Sequence, residues 1–158
     1  MPPVELSQAE GPALVAIARE LFREYALAIG TDLEYQGFSS ELASLPAPYA
    51  PPAGALLIAR VDGLVAGCVA LRPLDGRNGE MKRLYVRPAY RGTGLGRIFV
   101  EAVIRAAPAA GHRELRLDTL STMTAAQALY LKLGFVEIHP YNDKHLPGTR
   151  FYSLALTG

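Results

Sequence analysis

The sequence predicts an α+β or mixed α/β sandwich, with helices packed on a mixed sheet, and three observations carry that prediction. A stretch with helical periodicity comes first. Two apolar runs then flank Asp62-Gly63, the strongest short signal for a hairpin turn. From Glu80 onward, strand-like and helix-like segments alternate to the end of the chain.

The elements follow in order. Leu14, Ile17, Ala18, Leu21, Phe22 and Tyr25 recur at helical spacing, with Arg19, Glu20, Arg23 and Glu24 facing away. Pro12 suits a first turn and Gly30 a stop, which places a helix near residues 12 to 28. A shorter helix is expected from Ser39, as N-cap, to Leu45, where Pro46 stops it. The proline-rich stretch from Pro46 to Gly54 reads as a surface loop. Ala55 to Val61 and Leu64 to Leu71 form the hairpin, and Glu80 to Val86 follows as a third strand after the turn at Asp75 to Gly79. A glycine-rich loop then leads into a helix from Leu95 to Ala107, stopped at Pro108 to Gly111. Glu114 to Thr119 reads as a strand and Thr124 to Leu133 as a helix closed by Gly134. Two closing strands, Phe135 to His139 and Arg150 to Leu156, complete the order.

Composition narrows the function. The 158 residues are 50% hydrophobic and 20% charged, which suits one domain spanning residues 1 to 158. A net charge of +1, without any basic run, argues against a nucleic-acid partner. Cys68 is the only cysteine, so no intrachain disulfide forms, and its place in a hairpin strand suits a small buried hydrophobe. With that single cysteine, the scattered His112, His139 and His145 show no metal-ligand spacing. No run is apolar enough to span a membrane, and the first ten residues lack the basic start and apolar run of a secretory leader. The expectation is a cytoplasmic protein.

The informative segment is Arg91-Gly92-Thr93-Gly94-Leu95-Gly96, which opens a helix behind a strand and Pro88. Free N–H groups at a helix entrance, with the helix dipole, make an anion site. A glycine cluster by itself leaves a plain connecting turn equally open. Spacing limits the ligand. A dinucleotide fingerprint would need glycine at position 97 or 99, where Arg97 and Phe99 stand, and Gly96-Arg97-Ile98 lacks the Gly-Lys-Ser/Thr end of a P-loop.

The pattern Arg-x-x-Gly-x-Gly, behind Lys82-Arg-Leu-Tyr-Val86, resembles the acyl-CoA pyrophosphate loop of the GNAT N-acetyltransferase family. A second motif agrees: Ala128-Leu-Tyr-Leu-Lys-Leu-Gly-Phe135 is similar to a helix end of that family. The resemblance implies a three-layer sandwich whose central, mostly antiparallel sheet splays between its fourth and fifth strands, here Glu80 to Val86 and Glu114 to Thr119. It implies that Leu84, Tyr85 and Val86 pair the pantetheine arm through main-chain groups. It implies that Arg91, Gly92, Thr93, Gly94, Leu95 and Gly96 hold the pyrophosphate of acetyl-CoA, the cosubstrate. The family often carries an Asn where Met123 stands here, with Thr122 and Thr124 beside it as replacements.

Acetyl transfer to an amine requires loss of a proton from the amine, a donor for the oxyanion and an acid for the thiolate. A lysine-like amine, with a reference pKa of ≈ 10.4, lies ~4.6 kcal/mol from its neutral form at pH 7, whereas an α-amine of ≈ 7.7 to 8.0 lies only about 1 kcal/mol away. Glu80, eleven residues before Arg91, is the expected general base, and Asp118 on the facing strand is a weaker candidate. The backbone N–H of Val86 is the simplest oxyanion donor. Tyr130 matches the family tyrosine that protonates the departing thiolate. Tyr35, Phe38, Tyr49, Tyr141 and His145 are the candidate lining of an acceptor pocket. The activity implied is N-acetylation of a primary amine on a small molecule, peptide or protein by direct attack in a ternary complex. A homodimer is compatible with it. The alternative is a non-catalytic acyl-CoA-binding or regulatory module, against which the presence of both Glu80 and Tyr130 argues.

Overall fold

The computed structural model describes residues 2–157. Seven strands form one sheet: β1 (Val4–Gln8), β2 (Ala55–Val61), β3 (Leu64–Asp75), β4 (Asn78–Val86), β5 (Glu114–Thr119), β6 (Val136–Ile138) and β7 (Arg150–Ala155). Four helices flank it: α1 (Gly11–Ile29), α2 (Phe38–Ser44), α3 (Leu95–Ala109) and α4 (Thr124–Lys132). The spatial order is β1-β2-β3-β4-β5-β7-β6. Every neighbouring pair is antiparallel except β4 with β5, which run parallel.

Strand alternation builds the three layers. In β2 and β3, Leu56, Ile58, Cys68 and Ala70 pack with Leu21 and Phe22 of α1. Their neighbours Ala59, Val69 and Leu71 pack on the other face with Phe99 and Val103 of α3 and Tyr130 of α4. Phe22 and Phe99 are fully buried, each contributing roughly 1.5 to 3 kcal/mol of apolar burial. The Asp62-Gly63 turn takes positive φ at both residues, 52° and 77°, the requirement of a type I′ hairpin that this dipeptide meets at little strain.

The structure departs from the sequence expectation in five places. β1 has no counterpart in the sequence expectation: Val4 and Leu6 alternate with polar neighbours for too short a run, and antiparallel pairing to β2 is what makes it a strand. It makes the splayed strands the fourth and fifth in chain order. The second helix begins at Phe38 after Gly37, not at a Ser39 cap; Glu34 accepts hydrogen bonds from both the backbone and the hydroxyl of Ser39. β3 runs on to Asp75 and β4 begins at Asn78, so the expected five-residue turn is a tight one. α3 continues through Pro108, because Ala110 N–H reaches back to the Ala106 carbonyl at 3.1 Å and closes the turn. The proline-rich loop lies against the protein as well as solvent: Tyr49 is 1% exposed, its ring against Phe22 and its hydroxyl donating to Glu41 Oε2 at 2.7 Å.

Two features of β4 position the site. Its ladder to β5 holds only at Asn78↔Glu114, Gly79↔Leu115 and Glu80↔Arg116, after which the strands part. On the β3 side the register runs Cys68↔Tyr85 and Ala70↔Lys82, so β4 carries one extra residue. Met81 and Tyr85, four apart, would share a face of an unbroken strand; instead they pack in opposite layers. Arg83 sits in this bulge at φ 59°.

Candidate active site

Where β4 and β5 part, three adjoining spaces share lining residues. One is a cleft of about 460 Å³, lined by Tyr25, Leu84, Val86, Arg91, Met123 and Ala126. A narrow neck of about 60 Å³ follows, walled by Met81 to Leu84 of β4, Leu117 to Thr119 of β5, and Tyr130. A wider cavity of about 710 Å³ lies beyond, bordered by Tyr35, Glu80, Lys82, Arg83 and Asp118. The neck shares Tyr25, Leu84 and Met123 with the cleft, and Lys82, Arg83 and Asp118 with the cavity.

The glycine loop stands at the cleft end. Gly92 and Gly94 hold φ of 77° and 86°, a left-handed conformation that favours glycine, and a Cβ at either would meet open space. The first helical hydrogen bond of α3 is Ile98 N–H to Gly94 C=O at 3.1 Å. The N–H groups of residues 95–97 are therefore the free donors of the helix start. Arg91 closes the loop onto its strand through Nε to the Val86 carbonyl, 3.0 Å, and Thr93 Oγ1 donates to the Tyr90 carbonyl at 2.6 Å. Leu95 points inward and is buried in the α3 layer. Tyr85 turns to the α1 layer, where its hydroxyl donates to Glu24 Oε1 at 3.2 Å.

At the cavity end, Glu80 is 1% exposed and fully engaged. Its Oε1 accepts from Arg72, with Nε at 2.8 Å and a terminal nitrogen at 2.7 Å, and its Oε2 accepts from the Tyr141 hydroxyl at 2.6 Å. Burial works to raise its pKa, but the charges of Lys82 and Arg72 and the donated hydrogen bonds outweigh it, leaving the carboxyl below its ordinary range. Asp118, on β5 across the parting, is half-buried and has no ion-pair or hydrogen-bond partner among the described residues. Burial, opposed by Lys82 and reinforced by Glu80, raises its pKa. Burial depresses the Lys82 ammonium, and the opposing pull of Glu80 and Asp118 does not restore it.

Tyr130 is 5% exposed, its ring tilted against Phe135 at 5.6 Å and Tyr152 at 6.1 Å. Burial raises its phenol well above the usual range, which keeps it protonated and able to donate. Tyr35 lines both neck and cavity. Phe38 packs behind them, over the Arg83 guanidinium at 5.5 Å. Tyr141 and His145 both pack on Phe151, at 5.0 and 5.1 Å. Cys68 is buried, and burial pushes its thiol far up, away from nucleophilic chemistry.

Sequence reasoning missed five groups here. Arg83 is 2% exposed in its side chain and pairs Glu41 through two hydrogen bonds, 2.9 and 2.6 Å, which ties the bulge to α2. Arg72 sets the state of Glu80. Gln36 Oε1 and Thr119 Oγ1 are buried without partners in residues that wall the neck. Only Lys82 had a readable signal, since it lies two residues from Glu80 on one face of a strand. Among the described residues no cluster of His, Cys, Asp and Glu could hold a metal ion, and no helix is long and apolar enough to cross a membrane.

Comparison with known proteins identifies the fold and the family. Residues 15–135 match the sequence model of the acetyltransferase (GNAT) family. An uncharacterized N-acetyltransferase of Schizosaccharomyces pombe is 39% identical over 139 residues, which cover 87% of this chain and 85% of that one. Another, from Escherichia coli, is 29% identical over 84% of this chain and 80% of its own. Among solved structures, a GNAT acetyltransferase of Staphylococcus aureus superposes with a TM-score of 0.80 at 21% identity, covering 98% and 100% of the two chains. An acetyltransferase of Salmonella typhimurium, solved with its cofactor acetyl-CoA, gives 0.68 at 21% identity, covering 98% and 94%. The fold is theirs, and with the family match and the Schizosaccharomyces relative it follows that this chain belongs to the GNAT family and is an acetyl-CoA-dependent N-acetyltransferase.

Proposed function

We propose that the protein acetylates the primary amine of a small molecule or peptide by direct attack within a ternary complex. The observation that carries this reading is the parting of β4 and β5 and the chain of adjoining spaces along it. It joins a cleft beside the glycine loop to a cavity of about 710 Å³ rich in charged groups. That volume falls within the usual range for small-ligand sites.

The residues present fit acetyl-CoA. Beyond Glu80, the edge of β4 facing β5 has no ladder partner, so the main chain of Leu84, Tyr85 and Val86 can pair an amide-bearing arm as an added strand would. The loop from Arg91 to Gly96 offers its free N–H groups to a pyrophosphate, and a negative charge at such a helix start gains about 0.3 to 1 kcal/mol. The orphaned Thr119 hydroxyl and Gln36 carbonyl in the neck await a polar ligand. When bound, the cosubstrate supplies the activated acetyl thioester.

The chain's own groups then divide the work. Asp118 takes the amine's proton: its carboxylate faces the cavity without a partner, and its raised pKa brings it closer to working pH. Glu80, the base the sequence pointed to, is held by Arg72 and Tyr141, and its lowered pKa makes it the weaker proton acceptor. Its role in this reading is to fix the charged wall beside Asp118. A backbone N–H on the free edge of β4 meets the oxyanion. Tyr130 gives its proton to the leaving thiolate. Tyr35 lines the acceptor's path, with Phe38 and Tyr141 holding the charged groups around it.

The test is release of free thiol from acetyl-CoA against a panel of amines, with the product identified by mass. Amine-dependent release with an acetyl added to nitrogen is expected. Binding of acetyl-CoA without release, for any amine, would instead support the regulatory module.

A further inference from the structure

The charged groups around the cavity sort into satisfied and unsatisfied ones. Glu80 is held by Arg72 and Tyr141. Arg83 and Glu41 hold each other, with the Tyr49 hydroxyl on the same carboxylate. Glu34 accepts from Ser39. Asp143 and Lys144 lie exposed at the rim.

Two groups remain, and they face each other. Lys82 makes no hydrogen bond among the described residues; its nearest carboxylate oxygen, Glu80 Oε1, lies 4.0 Å away and is already taken by Arg72. Asp118 has no ion pair within 4.0 Å among the described residues. The last ladder pair before the strands part is Glu80↔Arg116. Lys82 and Asp118 each lie two residues beyond it, on the same face of their strands, so they stand opposite one another across the gap. Both line the neck and the cavity. The Lys82 side chain is only 11% exposed.

We infer that the acceptor is an α-amino acid, its carboxylate seated on Lys82 and its amine on Asp118. A zwitterion neutralises both groups at once. A simple amine placed on Asp118 would leave the buried ammonium of Lys82 with only the shared Glu80 carboxylate, 4.0 Å away, beside a second positive charge, an arrangement that interiors penalise. An acid without an amine would leave Asp118 in the same position. The depressed ammonium of Lys82 and the raised carboxyl of Asp118 accord with two groups short of partners until the acceptor arrives. The inference rests on the reading that this cavity takes the acceptor.

The experiment compares matched pairs that differ only in the carboxylate: leucine with leucinamide, phenylalanine with phenylalaninamide, glutamate with its α-amide. Tyramine and putrescine are included as simple amines. For the parent protein, kcat/KM for the acid is expected to exceed that for its amide by about 10-fold or more, the worth of a hydrogen bond to a charged group, and mainly through KM. Lys82→Met should collapse that ratio toward one, and Lys82→Arg should keep most of it. The melting shift with acetyl-CoA, measured on each variant, confirms that it is folded and binds. Amides or simple amines used as well as the acids would overturn the inference while leaving amine acetylation intact. So would a Lys82→Met variant that loses acids and amides equally. Release from no amine at all, with acetyl-CoA bound, would overturn the functional reading and this inference together.

Discussion

Glu80 and Asp118 meet one cavity from facing strands and titrate in opposite directions, which makes their substitutions separable. The folded-state pKa of Glu80 lies below its ordinary 4.5, so its stabilisation is present above that pH and is lost as pH falls through the folded value. Glu80→Gln is therefore expected to cost about 2 kcal/mol at neutral pH, by weakening charge-assisted hydrogen bonds to Arg72 and Tyr141, and far less in acid. Asp118 has the reverse sign. Its folded pKa is raised from 3.8, so its stabilising protonated form is lost as pH rises through the folded value. Asp118→Asn should leave the protein no less stable at pH 7, while kcat/KM falls by roughly 10² or more and partly recovers at high pH. Urea melts at pH 4 and 7, with a pH–rate profile for each variant, check both signs; a destabilised Asp118→Asn with unchanged turnover would return the base role to Glu80. Tyr130→Phe should change stability by only about 1 kcal/mol and lower kcat by about 10², with acetyl-CoA affinity nearly constant by calorimetry. The positions of Glu80, Asp118 and Tyr130 could be singled out from motif and register. The clamp of Arg72 and Tyr141 on Glu80 could not, since it joins residues 8 and 61 positions away.

Among the elements, β4 has the most local structure to maintain. Its bulge places Arg83 at positive φ, and the bidentate pair with Glu41 of α2 holds it there between Tyr25 and Phe38. Glu41→Ala leaves that guanidinium buried and unpaired, and a loss of about 3 to 5 kcal/mol is expected in chemical denaturation. Nothing in Lys82-Arg-Leu-Tyr-Val86 announces a bulge: no glycine marks it, and the tertiary ion pair that fixes it is distant in sequence. The Asp62-Gly63 hairpin is the opposite case, where two residues carry the whole turn and the sequence alone places it. The glycine loop lies between. Its composition signals an anion site, but only the geometry shows Arg91 turned back onto the Val86 carbonyl. Gly94→Glu puts a charge and a strained φ where the free N–H groups converge, and it should abolish the rise in melting temperature that acetyl-CoA gives the parent. A variant still stabilised like the parent would remove the loop from the cofactor site.

For the whole molecule, the sheet order explains why the parting exists. β7 pairs with β5 on its far side, and β3 with β4, so beyond the Glu80↔Arg116 pair each splayed strand is anchored on one edge and free on the other. Alternation and helical period made the layers legible in the sequence. The insertion of β7 between β5 and β6, and the short edge strand β1, were not, because both depend on pairing between residues far apart along the chain. The central claim is that acetyl-CoA and amine occupy the two ends of this chain of spaces together and react directly. Initial rates of thiol release, measured across a grid of acetyl-CoA and acceptor concentrations, test it most directly. Double-reciprocal lines that intersect, with release dependent on the amine, are the expected result. Parallel lines, or thiol released equally fast without acceptor, would reveal an acyl-enzyme or simple hydrolysis and contradict the account.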